Sequence, residues 1–210
     1  MDAVVPYEQR LNENRRWALM EGSMHFEKES AVFRTMLEVA KRLNELEIPY
    51  AVCGGMALFQ HGYRRFTEDV DILVTKEGLK LLHENLEGLG YLPPFQGSKN
   101  LRDTQTGVRI EFLVTGGYPG DGKPKSVSFP DPATVGIDID GVTCLQLATL
   151  VELKLASGTA VWRLKDLADV QEMIREFSLP EDFSTQIDAS VRDSYYRLWT
   201  QVRSRPTEEE

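Results

Sequence analysis

From Ser30 onward apolar residues recur at three- and four-residue spacing: Val32, Met36, Leu37, Val39, Leu43 and Leu46. That period predicts one amphipathic helix over SAVFRTMLEVAKRLNELE, with Ser30 as its N-cap and Pro49 as its stop. IPYAVCGG then reads as a short buried strand ending in two glycines, and MALFQHG as a short helix leaving them. DVDILV alternates with period two and is rich in β-branched residues, which predicts a strand. KEGLKLLHENLEGLG predicts a helix closed by Gly90. RDTQTGVRIEFLVT predicts two strands about Thr106-Gly107, and VGIDIDGVTC a hairpin or a strand turning at Asp140-Gly141. Between them GGYPGDGKPKSVSFPDPA holds too many breakers for regular structure. LQLATLVELKLAS, LKDLADVQEMIREF and SVRDSYYRLWTQVR are periodic and predict helices.

These elements order the chain. Residues 1–29 are polar and mixed in charge, and predict a partly ordered arm. Residues 30–144 read as an α/β core, 145–203 as a helical region and 204–210 as a disordered tail. The fold class expected is α+β: a small mixed β-sheet with flanking helices plus a C-terminal helical region.

Composition narrows the function classes. The 210 residues carry a net charge of −9, which argues against a general nucleic-acid coat while leaving room for a local basic groove. Two cysteines, Cys53 and Cys144, are too few for a disulfide scaffold. No apolar run is long enough to span a membrane, the first residues hold no apolar signal core, and no Cys/His cluster has zinc spacing. The expectation is a reduced, cytoplasmic protein with no membrane partner.

Candidate chemistry centres on DVDILV. On a strand Asp69 and Asp71 project to one face while Val70, Ile72 and Val74 face the other. Two carboxylates a few ångströms apart repel by about a kcal/mol or more at intermediate dielectric. A divalent cation removes that repulsion, and Mg²⁺ takes one or two carboxylates plus substrate phosphates. The plainer reading is a pair of solvated acids on an exposed strand. Upstream, Gly54-Gly55 stands between a strand and a helix, a turn that lets backbone N–H groups approach phosphate or that merely permits tight packing. A third acid, Glu111, lies in the apolar strand RIEFLV, where a charge is costly unless it faces water or a metal. Arg64 and Arg65, just before the acidic strand, are either triphosphate ligands or surface arginines.

CGG, a thirteen-residue spacer and DVDIL together resemble the signature of the nucleotidyltransferase superfamily, the polymerase-beta-like fold. VELKLASGTAVWRLKDLADVQEMI is similar to the helical half of the abortive-infection (AbiEii-like) type, matching at Lys154, Arg163, Lys165, Asp166 and Asp169. The resemblance spans about residues 30–175. It implies transfer of a nucleotidyl group from an NTP, ATP included, to an acceptor hydroxyl, with two Mg²⁺ ions. Asp69, Asp71 and Glu111 would be the metal-binding and catalytic acids; Gly54, Gly55, Arg64, Arg65, Lys154 and Asp166 would bind the nucleotide. The acceptor stays open among an RNA end such as that of tRNA, a protein hydroxyl and a small molecule such as an aminoglycoside. A toxin role, with a cognate antitoxin, belongs to the same resemblance. Gly55 stands where Ser is commoner in that signature, and Glu111 where Asp is.

Other readings stay beside it. A catalytically silent domain binding nucleotide or a protein partner would keep the same residues. A metal-dependent phosphohydrolase would use the same acids with water as acceptor. Gly117-to-Lys123 imitates a P-loop, but Pro124 stands where Ser or Thr should ligate Mg²⁺, and KPKSVSFPDP cannot open the required helix. A loop bearing Lys123 and Lys125 fits better. His61 and Cys53 read as structural residues.

Overall fold

The computed structural model describes residues 4–160 and 162–204. The tail expected over 204–210 lies, from 205 on, outside the described residues. The chain divides into two compact units, one containing the sheet and one containing the C-terminal helices with the 116–129 loop.

In chain order the first unit holds α1 (Tyr7–Glu13), α2 (Arg15–Phe26), α3 (Ala31–Glu45), β1 (Tyr50–Cys53), α4 (Gly54–Gln60) and β2 (Asp69–Val74). It continues through α5 (Lys76–Leu86), β3 (Tyr91–Leu92), β4 (Leu101–Asp103), β5 (Arg109–Val114), α6 (Pro132–Val135), β6 (Gly136–Ile139) and β7 (Val142–Leu145). The strands make one sheet in the order β3-β4-β5-β2-β1-β7-β6. β2 runs antiparallel to β1 and parallel to β5, and β1 runs parallel to β7. The sheet is mixed and helices flank it, so the class is α+β, as the element order predicts.

α3 shows why the sequence pattern works. Val32, Met36, Val39 and Leu43 are fully buried, and the helix packs on β2 and β7. Each such side chain contributes about 1.5–3 kcal/mol relative to exposure. Ser30 Oγ accepts from Phe33 N at 3.2 Å, the expected cap. The helix ends before Pro49 through a local device: Glu47 takes a φ of +54°, and Ile48 N donates to Leu43 O at 3.0 Å. Leu37, expected on the apolar face, is exposed.

Two boundaries differ from expectation in an instructive way. α5 stops at Leu86 rather than Gly90, because Glu87 turns extended and Gly88 and Gly90 take φ of +81° and +99°. Those residues close a turn in which Gly88 N donates to Tyr91 O at 2.8 Å. The β6–β7 hairpin turns where expected: Asp140 and Gly141 both have positive φ, +53° and +82°, as a two-residue primed turn demands.

Residues 4–29 carry α1 and α2, and their anchors are polar. Tyr7 Oη donates to Glu21 Oε2 at 3.1 Å, and Ala31 N donates to the same oxygen at 2.9 Å. His25 is fully buried against the rings of Phe59 and Phe66. Its Nε2 lies 3.0 Å from Arg65 O and its Nδ1 3.3 Å from Ser30 Oγ. The carbonyl can only accept, so Nε2 carries the proton and Nδ1 accepts from the serine hydroxyl.

Burial lowers the His25 pKa from its ordinary 6.5, outweighing the opposing Arg65 carbonyl and Glu21 charge. Below that value the unfolded chain takes up a proton that the folded one refuses. Stability present above about pH 6.5 is therefore lost as the pH falls toward the lower folded value. Urea midpoints should decline on acidification from about pH 7, and His25→Gln should flatten that part of the profile. Parallel profiles for the two proteins would rule the assignment out.

The second unit contains α7 (Leu147–Ser157), α8 (Leu164–Glu176), a 3₁₀ turn at Glu181–Gln186 and α9 (Ala189–Ser204). In its loop, Gly116 N donates to Phe129 O and Phe129 N to Gly117 O, both at 2.8 Å. Lys125 Nζ donates to Pro119 O and pairs with Asp121 at 3.0 Å. No helix follows Lys123 here, which excludes a P-loop. Among the described residues no helix is long and apolar enough to cross a membrane.

Candidate functional site

β2 turns Asp69 and Asp71 to one face while Val70 and Ile72 are buried on the other. β5 lies beside it in parallel register, Asp69 opposite Arg109 and Asp71 opposite Glu111. Neighbouring residues in register share a face. The expected acids Asp69, Asp71 and Glu111 are therefore gathered on adjacent central strands, with Arg109 among them.

The glycines meet the acids through β1. Cys53 pairs with Asp71 across the antiparallel ladder, so Gly54 begins α4 directly beside that carboxylate. Gly54 has a φ of +58°, and a Cβ built on it would fall 1.8 Å from Asp71 Oδ2. Only glycine leaves room for that carboxylate. Gly55 is cramped by different neighbours: a Cβ there would lie 2.6 Å from Thr67 Oγ1 and 2.7 Å from Arg65 Nη1. The Arg65 guanidinium thus lies against the glycine turn, while Arg64 is exposed. Thr67 Oγ1 also donates to Asp69 Oδ1 at 2.9 Å, and the His25 bond to Arg65 O fastens the same loop.

Arg109 pairs with two of the acids. Its Nη2 lies 3.2 Å from Asp69 Oδ2 and 2.8 Å from Glu111 Oε1. Partial burial works to lower its pKa, but the Glu111 and Asp69 charges outweigh it and hold the guanidinium ionised more firmly than usual. Its Nε is buried without a hydrogen-bond partner, so the group's polar contacts are made at its tip. Among the described residues no three acidic, His or Cys side chains converge closely enough to hold a metal ion. The donor chemistry still fits Mg²⁺: hard carboxylate oxygens on one face of adjacent strands, beside a glycine whose missing Cβ makes space.

Lys154 and Asp166, expected at the nucleotide, lie in the second unit and spend their charges on each other. Lys154 Nζ is 3.1 Å from Asp166 Oδ1 and 2.7 Å from Asp169 Oδ2, all three residues being buried. Ser157 Oγ donates to Asp166 Oδ2 at 2.6 Å and Arg163 Nε to the same oxygen at 2.8 Å. Lys165 is exposed. His61 Nε2 donates to Leu145 O at 2.7 Å, a structural role. Both cysteines are buried and in no disulfide, and burial together with the Asp138 and Asp140 charges pushes the Cys144 thiol up to about 12, which disqualifies it as a nucleophile at neutral pH.

Sequence reading missed Arg109 and Thr67. Arg109 stands two residues before Glu111, and the alternation that puts Asp69 and Asp71 on one face puts these two together as well. That spacing was the available signal. Thr67 precedes its strand, and no pattern marks it.

No protein-family model and no curated protein sequence matches the chain. Solved structures give weak likenesses. The antibiotic-resistance factor ANT(2'')-Ia is 13% identical with a TM-score of 0.48, over 81% of this chain and 92% of that one. An antigenic nucleotidyltransferase-like protein from Paracoccidioides brasiliensis is 17% identical with a TM-score of 0.46, over 82% and 92%. A Helicobacter pylori protein, JHP933, is 14% identical with a TM-score of 0.46, over 82% and 89%. Likeness at this level assigns neither family nor reaction.

Proposed function

We propose that the chain is a Mg²⁺-dependent nucleotidyltransferase, moving a nucleotidyl group from an NTP to an acceptor hydroxyl. The observation that supports this best is the in-register gathering of Asp69, Asp71 and Glu111 beside the Gly54–Gly55 turn, where Gly54 yields its Cβ space to the Asp71 carboxylate. A purely structural acid pair has no need of that concession.

In this reading the acceptor oxygen attacks the α-phosphorus, a new phosphodiester-type P–O bond forms, and the bond to the pyrophosphate oxygen breaks with its electron pair. Asp69 and Asp71 would hold Mg²⁺, with Glu111 as the third carboxylate. When bound, the metal would supply Lewis-acid stabilisation of charge on the phosphoryl oxygens. Gly54 and Gly55 keep side chains out of the phosphate's path. Arg65, whose guanidinium lies against Gly55, would meet triphosphate charge, and exposed Arg64 is a second cation in the same loop. Glu111 would take the acceptor proton. Lys154 and Asp166 would contribute to the nucleotide only by exchanging partners within their own network. The acceptor classes are an RNA end, a protein hydroxyl or a small molecule; a toxin-type enzyme of the AbiEii-like kind with an antitoxin partner is the form the sequence motifs favour.

The rival is a catalytically silent domain that binds nucleotide or a protein partner. Arg109 favours it, since it already pairs with two of the three acids. Calorimetry separates the readings when ATP, GTP, CTP and UTP are titrated with and without Mg²⁺ into the wild type and Asp69→Ala/Asp71→Ala. The expected result is metal-dependent binding of at least one triphosphate that the double variant loses, followed by labelled-nucleotide transfer to an acceptor. Metal-independent binding that survives the double variant favours the silent domain. No triphosphate binding in the wild type removes the transferase reading.

A further inference from the structure

α2 is built inside out. A surface helix ordinarily turns an apolar stripe to the core and its polar residues to water. Here the two buried side chains are polar, Glu21 and His25, while Leu19, Met20 and Phe26 are 69%, 49% and 44% exposed. Arg16, Leu19, Met20, Ser23 and Phe26 follow one another at helical spacing and are all exposed, so they share the outer face. Beside them, a Cβ built on Gly22 would have nothing within 4 Å. No neighbour in its own chain requires a glycine there, and a bare backbone lets a second helix approach closely. Charge also runs one way along α2. Arg15 and Arg16 open the helix, and Glu27 and Glu29 follow its last residue. All four are exposed, and among the described residues none of them makes an ion pair. Lys28, between the glutamates, is already paired with Asp140 at 2.9 Å. Cations at the start and anions at the end are the wrong way round for the helix's own dipole.

We infer that the outer face of α2 is the contact between two copies of this chain, their helices lying antiparallel about a two-fold axis beside Gly22. The charge pattern selects this occupant, because it complements itself only in that arrangement. An antiparallel copy sets its Glu27 and Glu29 against Arg15 and Arg16, and its arginines against the other pair of glutamates. A parallel copy sets arginine on arginine. The antiparallel pair also brings an acidic end to each helix N-terminus, which the single chain lacks, and covers Leu19, Met20 and Phe26 with their own equivalents. The 12 residues of α2 make a contact about 18 Å long. That is short of the roughly 800 Å² per partner of a standard interface, so the pair is weak and forms with rising concentration. The inference does not depend on the nucleotidyl-transfer reading.

Sedimentation velocity on the full chain tests it, over loadings of about 1 to 300 µM, a range that brackets a micromolar dissociation constant. The wild type is expected to pass from monomer to dimer with concentration, less readily at high salt, which screens exposed charges. Leu19→Gln/Met20→Gln, Arg15→Glu/Arg16→Glu and Glu27→Lys/Glu29→Lys are each expected to weaken the dimer at least tenfold, with circular dichroism like the wild type's. Mixing the last two variants is expected to restore a dimer, because a helix acidic at both ends then meets one basic at both ends. A folding defect cannot be repaired by mixing. A wild type that stays monomeric throughout overturns the inference and leaves the face to a different partner. A dimer that survives in all three variants places the contact elsewhere and also overturns it. Charge variants that lose the dimer and do not regain it on mixing overturn the antiparallel pairing on which the inference stands.

Discussion

Lys154→Ala is expected to lower the unfolding free energy by about 3–5 kcal/mol, the cost of leaving buried carboxylates without their counter-charge. Lys154, Asp166 and Asp169 are all at least nine-tenths buried, and the lysine contacts both acids. In the variant Asp166 retains Ser157 and Arg163, while Asp169 loses its 2.7 Å bond from Lys154. Urea denaturation checks the magnitude. Lys154→Met/Asp169→Leu should recover most of the loss, because well-packed apolar groups replace buried ion pairs at little cost. Failure of the double variant to recover would mean that the pair fixes the packing of α7 on α8 beyond its charge balance.

The same network sets a pH signature. Burial pushes the Asp166 carboxyl up, yet the Lys154 charge, the Ser157 hydrogen bond and Arg163 together hold it below its ordinary 3.8. A depressed carboxyl contributes stability that is present above the unfolded value and is lost as the pH falls through the folded one. Wild-type stability should therefore decline below about pH 4 from this source, and Lys154→Ala should decline less over that window.

If the chain is the transferase proposed above, Gly54→Ala is expected to reduce turnover by about a hundredfold, the scale on which an ångström of misplacement acts in an active site. The substitution has two separable costs. A φ of +58° costs an L-residue about 1–2 kcal/mol wherever it occurs. The new Cβ also drives Asp71 Oδ2 from its place, since it would lie 1.8 Å away. Gly88→Ala isolates the first cost: Gly88 has a φ of +81°, with nothing within 4 Å of a new Cβ. Both variants should melt lower, and only Gly54→Ala should lose Mg²⁺-dependent nucleotide binding. Equal binding in the two variants would mean that Asp71 is not part of the site.

Much of the architecture was legible along the chain. Period 3.6 marks α3, α8 and α9 because each buries an apolar stripe, whereas α7 is apolar overall and buried on most of its circumference. Period two marks β2 and β5 because one of their faces is buried, and Asp140-Gly141 marks a turn that only residues tolerant of positive φ complete cheaply. The two acids of DVDILV and the glycine pair before them could likewise be assigned to one region, since strand alternation and spacing are local properties. α1 and α2 could not be read this way. They are held by Glu21, His25 and Tyr7 through hydrogen bonds, and a buried polar side chain looks like a surface one until its partner is known.

Tertiary structure alone decided which residues face one another. The parallel register of β2 and β5 places Glu111 opposite Asp71 and sends Arg109 across to Asp69, although forty residues separate that last pair. The folding of α7 on α8 spends Lys154 on two aspartates that sequence could only align with a motif. Local spacing determines which face of its own strand or helix a residue occupies, because backbone geometry repeats with a fixed period. Whether a charge on that face meets a cation, a carboxylate or water depends on strand order and register, which are set by packing of the whole sheet.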